Sequence, residues 1–216
     1  MIGDERILSY ISSLEQDMPL YLWEIEQEAL ATHVPIIKKP TQSLLRFLMH
    51  NNKPKRILEV GTAVGFSALF MREYLGEEAR ITTIERNQGR IDRARENFRK
   101  LDKDQRITLL EGDATDVLKQ LVENKQTFDF IFMDAAKGQY INFLNDIDML
   151  LEKDGLLMSD NVLQDGDVVE SRYGVTRRNR TIHSRMREYL FTLTHHETYD
   201  TIVLPIGDGV TLSTKC

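Results

Sequence analysis

The stretch RILEVGTAVGFSALF, residues 56–70, contains the transition that decides the fold. RILEV has the continuous apolar character of a buried strand, and Gly61 and Gly65 bracket a tight turn after it. From Phe66 onward the apolar residues follow helical spacing. A strand that leads through a glycine turn into a helix is half of a β-α-β unit, which predicts a parallel sheet covered by helices.

The same alternation continues along the chain. Apolar runs predict further strands, and the segments between them have helical periodicity. Residues 195–215 differ, because they read as two strands joined by a glycine-containing turn, which predicts an antiparallel hairpin at the sheet edge. We therefore predict the α/β class, with a doubly wound, mainly parallel, seven-stranded Rossmann-like sheet. The additional parallel strands are ARITTIE (79–85), RITLLEG (106–112), FDFIFMD (128–134) and GLLMSD (155–160).

The first 52 residues predict a helical cap on this sheet. Ile7, Tyr10, Ile11 and Leu14 are three and four residues apart, as on one face of a helix. Two further helices are predicted at 20–32 and 41–50, on either side of a proline-containing turn. The 216 residues contain no repeat or linker. We predict a single domain, residues 1–216, with a cap at 1–52 and an α/β core at 53–216.

Composition and charge favour a cytoplasmic protein. The net charge of -6 argues against a protein that coats nucleic acid with its whole surface, although a local basic patch remains compatible with it. Cys216 is the only cysteine, so an intrachain disulfide is impossible. The chain starts with Asp4, Glu5 and Arg6 close to its first residue, where a signal peptide needs an apolar core. No apolar run approaches the roughly 18 residues of a membrane span.

Acidic side chains recur where the predicted strands end. Glu59, Glu85, Asp113, Asp134 and Asp160 all lie at or just after such ends. In a sheet of this kind, ligands bind at the carboxyl ends of the strands. We therefore expect these acids to surround one binding site.

The glycine turn is GTAVG, which matches neither G-x-G-x-x-G nor a P-loop, and a plain tight turn would look the same. Glu85, at the end of the second strand, is placed to accept hydrogen bonds from both hydroxyls of a ribose. Asp113 and Ala114 follow the third strand, where a nucleobase would lie. Acids repel a dinucleotide phosphate but suit a cationic, phosphate-free nucleoside such as S-adenosylmethionine.

The motifs LEVGTAVGFS, IERN, GDA, MDAAKGQY and SDNVL together resemble the metal-dependent class I O-methyltransferases of the catechol and caffeoyl-CoA type. The resemblance extends from about residue 33 to the end of the chain. It implies that Asp134, Asp160 and Asn161 hold a divalent cation, Mg²⁺ or Mn²⁺. The residues that it assigns to S-adenosylmethionine are Ile37, Gly61, Ser67, Glu85, Asp113, Ala114 and Asp134. The strand-end acid Glu59 is a further candidate for cofactor binding.

Two carboxylates and an amide oxygen form a hard, all-oxygen ligand set, as Mg²⁺ requires. The competing interpretation is that Asp160 and Asn161 only start a turn. Lys137 can likewise be a solvated residue at a helix start. Beside a metal, it would take the proton of a substrate hydroxyl or stabilise the resulting oxyanion, and the resemblance assigns the catalytic lysine to this position. Lys137 and Asp134 are the candidate catalytic residues.

A substrate with two adjacent oxygens would chelate such a metal, as catechols and 5-hydroxyuridine do. The segment RYGVTRRNRTIHSRMR, residues 172–187, contains six arginines and no acid. Arginine suits phosphate, so Arg177, Arg178 and Arg180 are predicted to bind the tRNA backbone. The alternative is a solvated helix face.

HVPI, DAAKGQY and LPIGDGV resemble the bacterial family members that convert 5-hydroxyuridine at the tRNA wobble position to 5-methoxyuridine. A small catechol-like or phenolic substrate is the alternative. Two other classes, a nucleoside-binding regulatory protein and an NAD dehydrogenase, are disfavoured by the full acid–lysine set and by the missing G-x-G-x-x-G. Consecutive apolar residues 20–23 exceed what one helix face can bury, and with the resemblance they predict a homodimer.

Overall fold

The computed structural model describes residues 5–171 and 173–216; Arg172 of the arginine-rich segment and the first four residues, with Asp4, lie outside it. Seven strands form one sheet in the order β3-β2-β1-β4-β5-β7-β6. β1 to β5 pair in parallel, and β7 runs antiparallel to both β5 and β6. The predicted Rossmann-like sheet with an antiparallel C-terminal hairpin is confirmed. The strands are β1 Arg56–Val60, β2 Arg80–Glu85, β3 Ile107–Glu111, β4 Phe128–Met133, β5 Leu151–Asp160, β6 Tyr199–Leu204 and β7 Val210–Lys215.

Helices cover both faces of the sheet because successive side chains of the central strands are buried on opposite sides. Phe130 and Phe132 of β4 pack with α2 to α5, whereas Ile131 and Met133 pack with α6 to α8. The helices are α1 Glu5–Ser13, α2 Leu20–Ala31, α3 Lys39–Asn52, α4 Phe66–Glu73, α5 Gln88–Leu101, α6 Ala114–Glu123, α7 Tyr140–Leu150 and α8 Arg180–Thr194.

Two elements differ from the sequence prediction. β5 begins at Leu151 rather than at residue 155, because Leu151 pairs with Phe128 across an irregularity in the β4–β5 register. A short 3-10 turn, Lys137–Gln139, also separates β4 from α7 and contains the candidate catalytic lysine. Within the described ranges, no helix combines the length and the apolar character needed to cross a bilayer.

The N-terminal helices leave apolar side chains on the surface. On α1, Ile7, Tyr10, Ile11 and Leu14 (just after the helix) are each at least half exposed. In the run of residues 20–23, Leu22 is fully buried whereas Leu20 and Trp23 are exposed. The expected apolar surface is therefore present, and dimerisation through it stays a prediction.

Candidate active site

The carboxyl ends of β1, β2, β4 and β5 surround a pocket of about 720 Å³. Residues 34–38, between α2 and α3, line it as well. Sequence reasoning did not single out Lys38, Arg86, Arg90 and Asp208, which also line it. The predicted residues that line this pocket are Ile37, Gly61, Ser67, Glu85, Asp113, Ala114, Asp134, Lys137, Asp160 and Asn161.

Gly61 lets the ends of β1 and β4 touch. Its φ is +111°, and a Cβ added there would lie 2.0 Å from the carbonyl oxygen of Asp134. The amide of Asp134 donates to the carbonyl of Val60 at 3.0 Å, so the two strand ends are bonded as well as packed. Only glycine combines this backbone conformation with so close an approach.

Glu85 fixes the glycine turn to the end of β2. Its side chain is buried, and Oε2 accepts a hydrogen bond from the amide of Ala63 at 2.9 Å. Oε1 accepts from the amides of Arg86 at 3.0 Å and Asn87 at 2.9 Å. Because a carboxylate oxygen has two lone pairs, Oε2 retains capacity for a hydroxyl of a ligand in the pocket.

Glu59 does not line the pocket but lies fully buried beneath it. The hydroxyl of Thr83 donates to Oε2, while Oε1 has no hydrogen-bond partner in the described part of the chain. Burial raises the pKa of Glu59 to about 7, and the nearby hydroxyls of Ser67 and Thr83 oppose that shift. Glu59 thus supports Ser67 from below, and its direct contact with a cofactor stays a prediction.

Asp113 caps α6 at the rim of the pocket. Its Oδ1 accepts from the amide of Thr115 at 2.9 Å, and its Oδ2 pairs with Arg86 at 2.8 Å. The hydrogen bonds from Thr115 are the main cause that lowers the pKa of Asp113, with Arg86 adding to them. Asp113 is therefore a charged acceptor near Glu85.

Asp134 and Asp160 lie at the ends of the neighbouring strands β4 and β5. Tyr140 holds these ends together, because its buried hydroxyl is 3.1 Å from the carbonyl oxygen of Met133 and 3.0 Å from that of Asp160. Burial raises the pKa of Asp134 to about 6 and that of Asp160 to about 7. The charge of Asp134 is the second cause of the shift at Asp160.

Asn161 follows Asp160 with a φ of +60°, a conformation that asparagine tolerates better than most residues. Its amide N–H donates to Oδ1 of Asp160 at 2.7 Å. Within the described residues, no three His, Cys, Asp or Glu side chains are grouped to hold a metal by themselves. A divalent cation would therefore need the amide oxygen of Asn161, and the mutual repulsion of Asp134 and Asp160 is the electrostatic environment that such a cation would relieve.

Lys137 is half-buried at the start of the 3-10 turn and forms no ion pair with any described residue. Its charge lowers the pKa of both Asp134 and Asp160, against the larger effect of burial. The first turns of α8 pack on this 3-10 turn, where Arg185 donates to the carbonyl of Gly138 at 3.0 Å. The positively charged side chain of Lys137 thus lines the pocket together with the carboxylates of Asp134 and Asp160.

The described arginines of the 172–187 segment lie in three different environments. Arg185 and Arg187 donate to backbone carbonyls and so brace α8 against its neighbours. Arg177 and Arg178 are exposed in the loop before α8, and neither forms an ion pair with a described residue. Arg180 is half-buried, with its guanidinium 5.8 Å from the ring centre of the exposed Tyr173.

Comparison with known proteins identifies the family. The family model described as O-methyltransferase matches residues 12–216, so the chain belongs to that family. A caffeoyl-CoA O-methyltransferase of Citrus natsudaidai is 32% identical over 165 residues, which cover 74% of this chain and 71% of the relative. Caffeoyl-CoA O-methyltransferase 5 of Nicotiana tabacum is 31% identical, covering 78% of this chain and 72% of its own.

Among solved structures, a methyltransferase from Podospora anserina, bound to S-adenosylhomocysteine, superposes with a TM-score of 0.85 at 29% identity. The match covers 98% of this chain and 94% of that one. The prediction of an S-adenosylmethionine-dependent O-methyltransferase of the caffeoyl-CoA type is confirmed at this level of enzyme class. The metal, the RNA substrate and the homodimer belong to the proposals that follow.

Proposed function

We propose that this O-methyltransferase uses Mg²⁺ (or Mn²⁺) and S-adenosylmethionine to methylate 5-hydroxyuridine at the wobble position of tRNA, giving 5-methoxyuridine. The observation that supports metal-assisted O-methylation is the position of Lys137 beside the oxygen set of Asp134, Asp160 and Asn161 in one pocket. Such a set suits a substrate with two neighbouring oxygens, and 5-hydroxyuridine presents O5 next to O4.

The chain's own residues supply orientation and electrostatics. Glu85 and Asp113 offer carboxylate acceptors to the ribose and the base of the donor, while Ile37 packs against it from the opposite side of the pocket. When bound, the cation lowers the pKa of a coordinated hydroxyl, and the donor sulfonium supplies an electrophilic methyl group. The ammonium of Lys137 can stabilise the oxyanion, and in its neutral form the same amine can accept the hydroxyl proton. Holding both reactants in line provides much of the acceleration.

The RNA assignment rests on Arg177 and Arg178. Both are exposed and unpaired among the described residues, and they precede the helix whose first turns pack on the Lys137 turn. An arginine pair at this position suits the phosphates on either side of a nucleotide whose base enters the pocket. Tyr173 beside Arg180 adds an exposed aromatic ring of the kind on which RNA bases stack.

A phenolic substrate is the second candidate function. The named relatives are caffeoyl-CoA O-methyltransferases, and the oxygen set would chelate a catechol as readily as 5-hydroxyuridine. If the substrate were a phenolic thioester of coenzyme A, the arginines would also suit its phosphates. Phosphate affinity alone therefore does not separate the candidates, and the product has to be identified.

The decisive measurement is mass spectrometry of tRNA nucleosides from a strain that lacks this protein. We expect 5-methoxyuridine to disappear and 5-hydroxyuridine to accumulate. Purified protein should then methylate that hypomodified tRNA in the presence of Mg²⁺. No activity on this tRNA, together with good turnover of a catechol or a caffeoyl thioester, would favour the second candidate.

Replacing both Arg177 and Arg178 by Ala tests the role of the arginines separately. We expect a higher KM for tRNA and a salt dependence whose slope falls by about one for each lost phosphate contact. Arg99→Ala, at an equally exposed arginine on α5, is the matched control. Turnover of a free catechol should survive in the double variant; equal losses on tRNA and catechol would mean that the arginines support the fold.

Glu85→Ala tests the cofactor assignment. Loss of the charge-assisted hydrogen bond that Oε2 can still accept from the ribose should weaken S-adenosylhomocysteine binding by about 1.5–3 kcal/mol, measured by calorimetry. Glu85 also accepts hydrogen bonds from three backbone amides, and losing these bonds should weaken cofactor binding further. Glu111→Ala is the control, because Glu111 is the register partner of Glu85 on β3 but does not line the pocket. Unchanged affinity in Glu85→Ala would contradict the assignment.

A further inference from the structure

Asp208, in the loop between β6 and β7, lies against residues 160–163, a segment that contains the predicted metal ligands Asp160 and Asn161 and is termed the metal loop. Its side chain is almost fully buried, and Oδ2 accepts a hydrogen bond from Nδ2 of Asn161 at 3.1 Å. Its other oxygen, Oδ1, is ion-paired with Lys38, which belongs to the pocket-lining segment 34–38. Asp208 therefore joins Asn161 to that segment.

The backbone on both sides of Asp208 packs closely against the metal loop and against α3. The amides of Val162 and Leu163 donate to the carbonyls of Gly209 and Asp208, each at 2.9 Å. Gly209 has a φ of +87°, and a Cβ there would lie 2.7 Å from the backbone nitrogen of Leu163. On the other side, a Cβ at Gly207 would lie 2.7 Å from the hydroxyl of Thr41. The loop is wedged between α3 and the metal loop.

We infer that Asp208 is a positioning residue that orients the side-chain amide of Asn161 toward the divalent cation; this inference rests on the proposed metal dependence. A carboxylate only accepts hydrogen bonds, so it bonds to the NH₂ end of the amide and excludes the flipped orientation. The amide oxygen is thereby left as the free end, the one atom of Asn161 that a hard cation binds. Lys38 holds Asp208 from behind.

The orientation of Asn161 matters because, besides Asp208 itself, the predicted ligand set among the described residues contains only the carboxylates of Asp134 and Asp160. No three acidic, histidine or cysteine side chains of the described residues are grouped to hold a metal by themselves. An amide presented with its NH₂ end toward the cation would remove one ligand of three and add a repulsive dipole. Hydrogen-bond partners behind metal ligands contribute about 10- to 100-fold to metal affinity. Asp208 should contribute in that range without contacting the cation.

The experiment compares Asp208→Ala with Asp208→Asn in protein saturated with S-adenosylhomocysteine. Asparagine can still accept from Asn161 through its own amide oxygen, whereas alanine cannot. We expect the Mn²⁺ dissociation constant, measured by electron paramagnetic resonance, to rise at least about tenfold in Asp208→Ala and less than about threefold in Asp208→Asn. Asp148→Ala, which removes an acid on α7 that pairs with Lys215, is the control for loss of one negative charge.

A second readout needs no metal. In nuclear magnetic resonance spectra, the side-chain amide protons of Asn161, assigned by their absence in Asn161→Asp, should exchange slowly with solvent in the unmodified protein and in Asp208→Asn. In Asp208→Ala they should exchange fast. Binding of S-adenosylhomocysteine should be the same in all three proteins if the pocket is intact.

The outcomes separate this inference from the proposed function. If the unmodified protein binds no Mn²⁺ but the amide exchange follows the expected pattern, metal dependence fails and the positioning of Asn161 stands. Equal Mn²⁺ affinity in Asp208→Ala and the unmodified protein would overturn the inference. So would an Asp208→Asn variant as weak as Asp208→Ala, because the charge rather than the hydrogen bond would then be responsible.

Discussion

Gly61→Ala should lower both the stability of the fold and the activity of the site, because Gly61, which follows β1, packs directly against the backbone of Asp134. An alanine there must adopt a φ of +111°, which costs about 1–3 kcal/mol for a residue with a side chain. Its Cβ would lie 2.0 Å from the carbonyl oxygen of Asp134, so that backbone has to move, at a further cost of about 1–3 kcal/mol. Together we expect a loss of about 2–6 kcal/mol in the free energy of unfolding.

For a chain of this length, that loss corresponds to a fall in Tm of about 5–15 °C, measurable by calorimetry of the cofactor-free protein. Displacement of Asp134 by about 1 Å should also lower kcat by about 100-fold. Gly76→Ala is the matched control, because nothing lies within 4 Å of a Cβ added at Gly76. If Gly61→Ala melted and turned over like Gly76→Ala, the close approach of the two strand ends would have no energetic weight and the reasoning would be refuted.

Three further predictions concern pH, metal and assembly. Folding favours the neutral form of Glu59, because its pKa is about 7 in the folded protein against 4.5 ordinarily. The stability that this difference contributes is complete below about pH 4.5 and is lost as the pH rises through about 7. Relative to Glu59→Gln, the unmodified, cofactor-free protein should therefore lose about 3 kcal/mol between pH 4.5 and 8 in urea denaturation, and a pH-independent difference would contradict this. EDTA should abolish methyl transfer, and Mg²⁺ or Mn²⁺ should restore it. Asp160→Ala should lose turnover but keep its affinity for S-adenosylhomocysteine. Full activity in the presence of the chelator would exclude Asp134, Asp160 and Asn161 as metal ligands. Light scattering should give the mass of a dimer at micromolar concentration. Ile11→Asp, on the exposed apolar face of α1, should reduce the measured mass to that of a monomer. A monomeric mass for the unmodified protein would contradict the dimer proposal.

The sheet was predictable because its central strands are buried on both faces. β1 appears in the sequence as RILEV and spans the same five residues, Arg56–Val60, in the structure. The start of β5 was not predictable, because its first residues are the polar sequence LEKDG and are recruited only by pairing of Leu151 with Phe128. Such pairing depends on another strand and leaves no apolar pattern of its own.

The candidate site was predictable to the extent that its side chains end parallel strands. Glu85, Asp134 and Asp160 belong to different strands, and the parallel arrangement brings their ends to one pocket. Glu59 follows the same sequence rule but points beneath the pocket, because side chains alternate between the faces of a strand and the last position of β1 is Val60. The rule locates the acids along the chain, and the pleat decides which of them line the pocket.

The role of Asp208 could not be predicted from the positions of acids at strand ends. It lies in LPIGDGV, a motif visible in the sequence, but its chemistry depends on Asn161 and Lys38, which are 47 and 170 residues away along the chain. Neither separation has a period or a local signature. The antiparallel placement of β7 beside β5 brings Asp208 to Asn161, and the packing of the segment before α3 brings Lys38 to Asp208. The two glycines that flank Asp208 were readable as turn residues, yet their further role is to admit Leu163 and Thr41 at distances that no side chain would allow. Residues that contact a ligand can be inferred from strand ends, whereas residues that orient those contacts are fixed by tertiary packing.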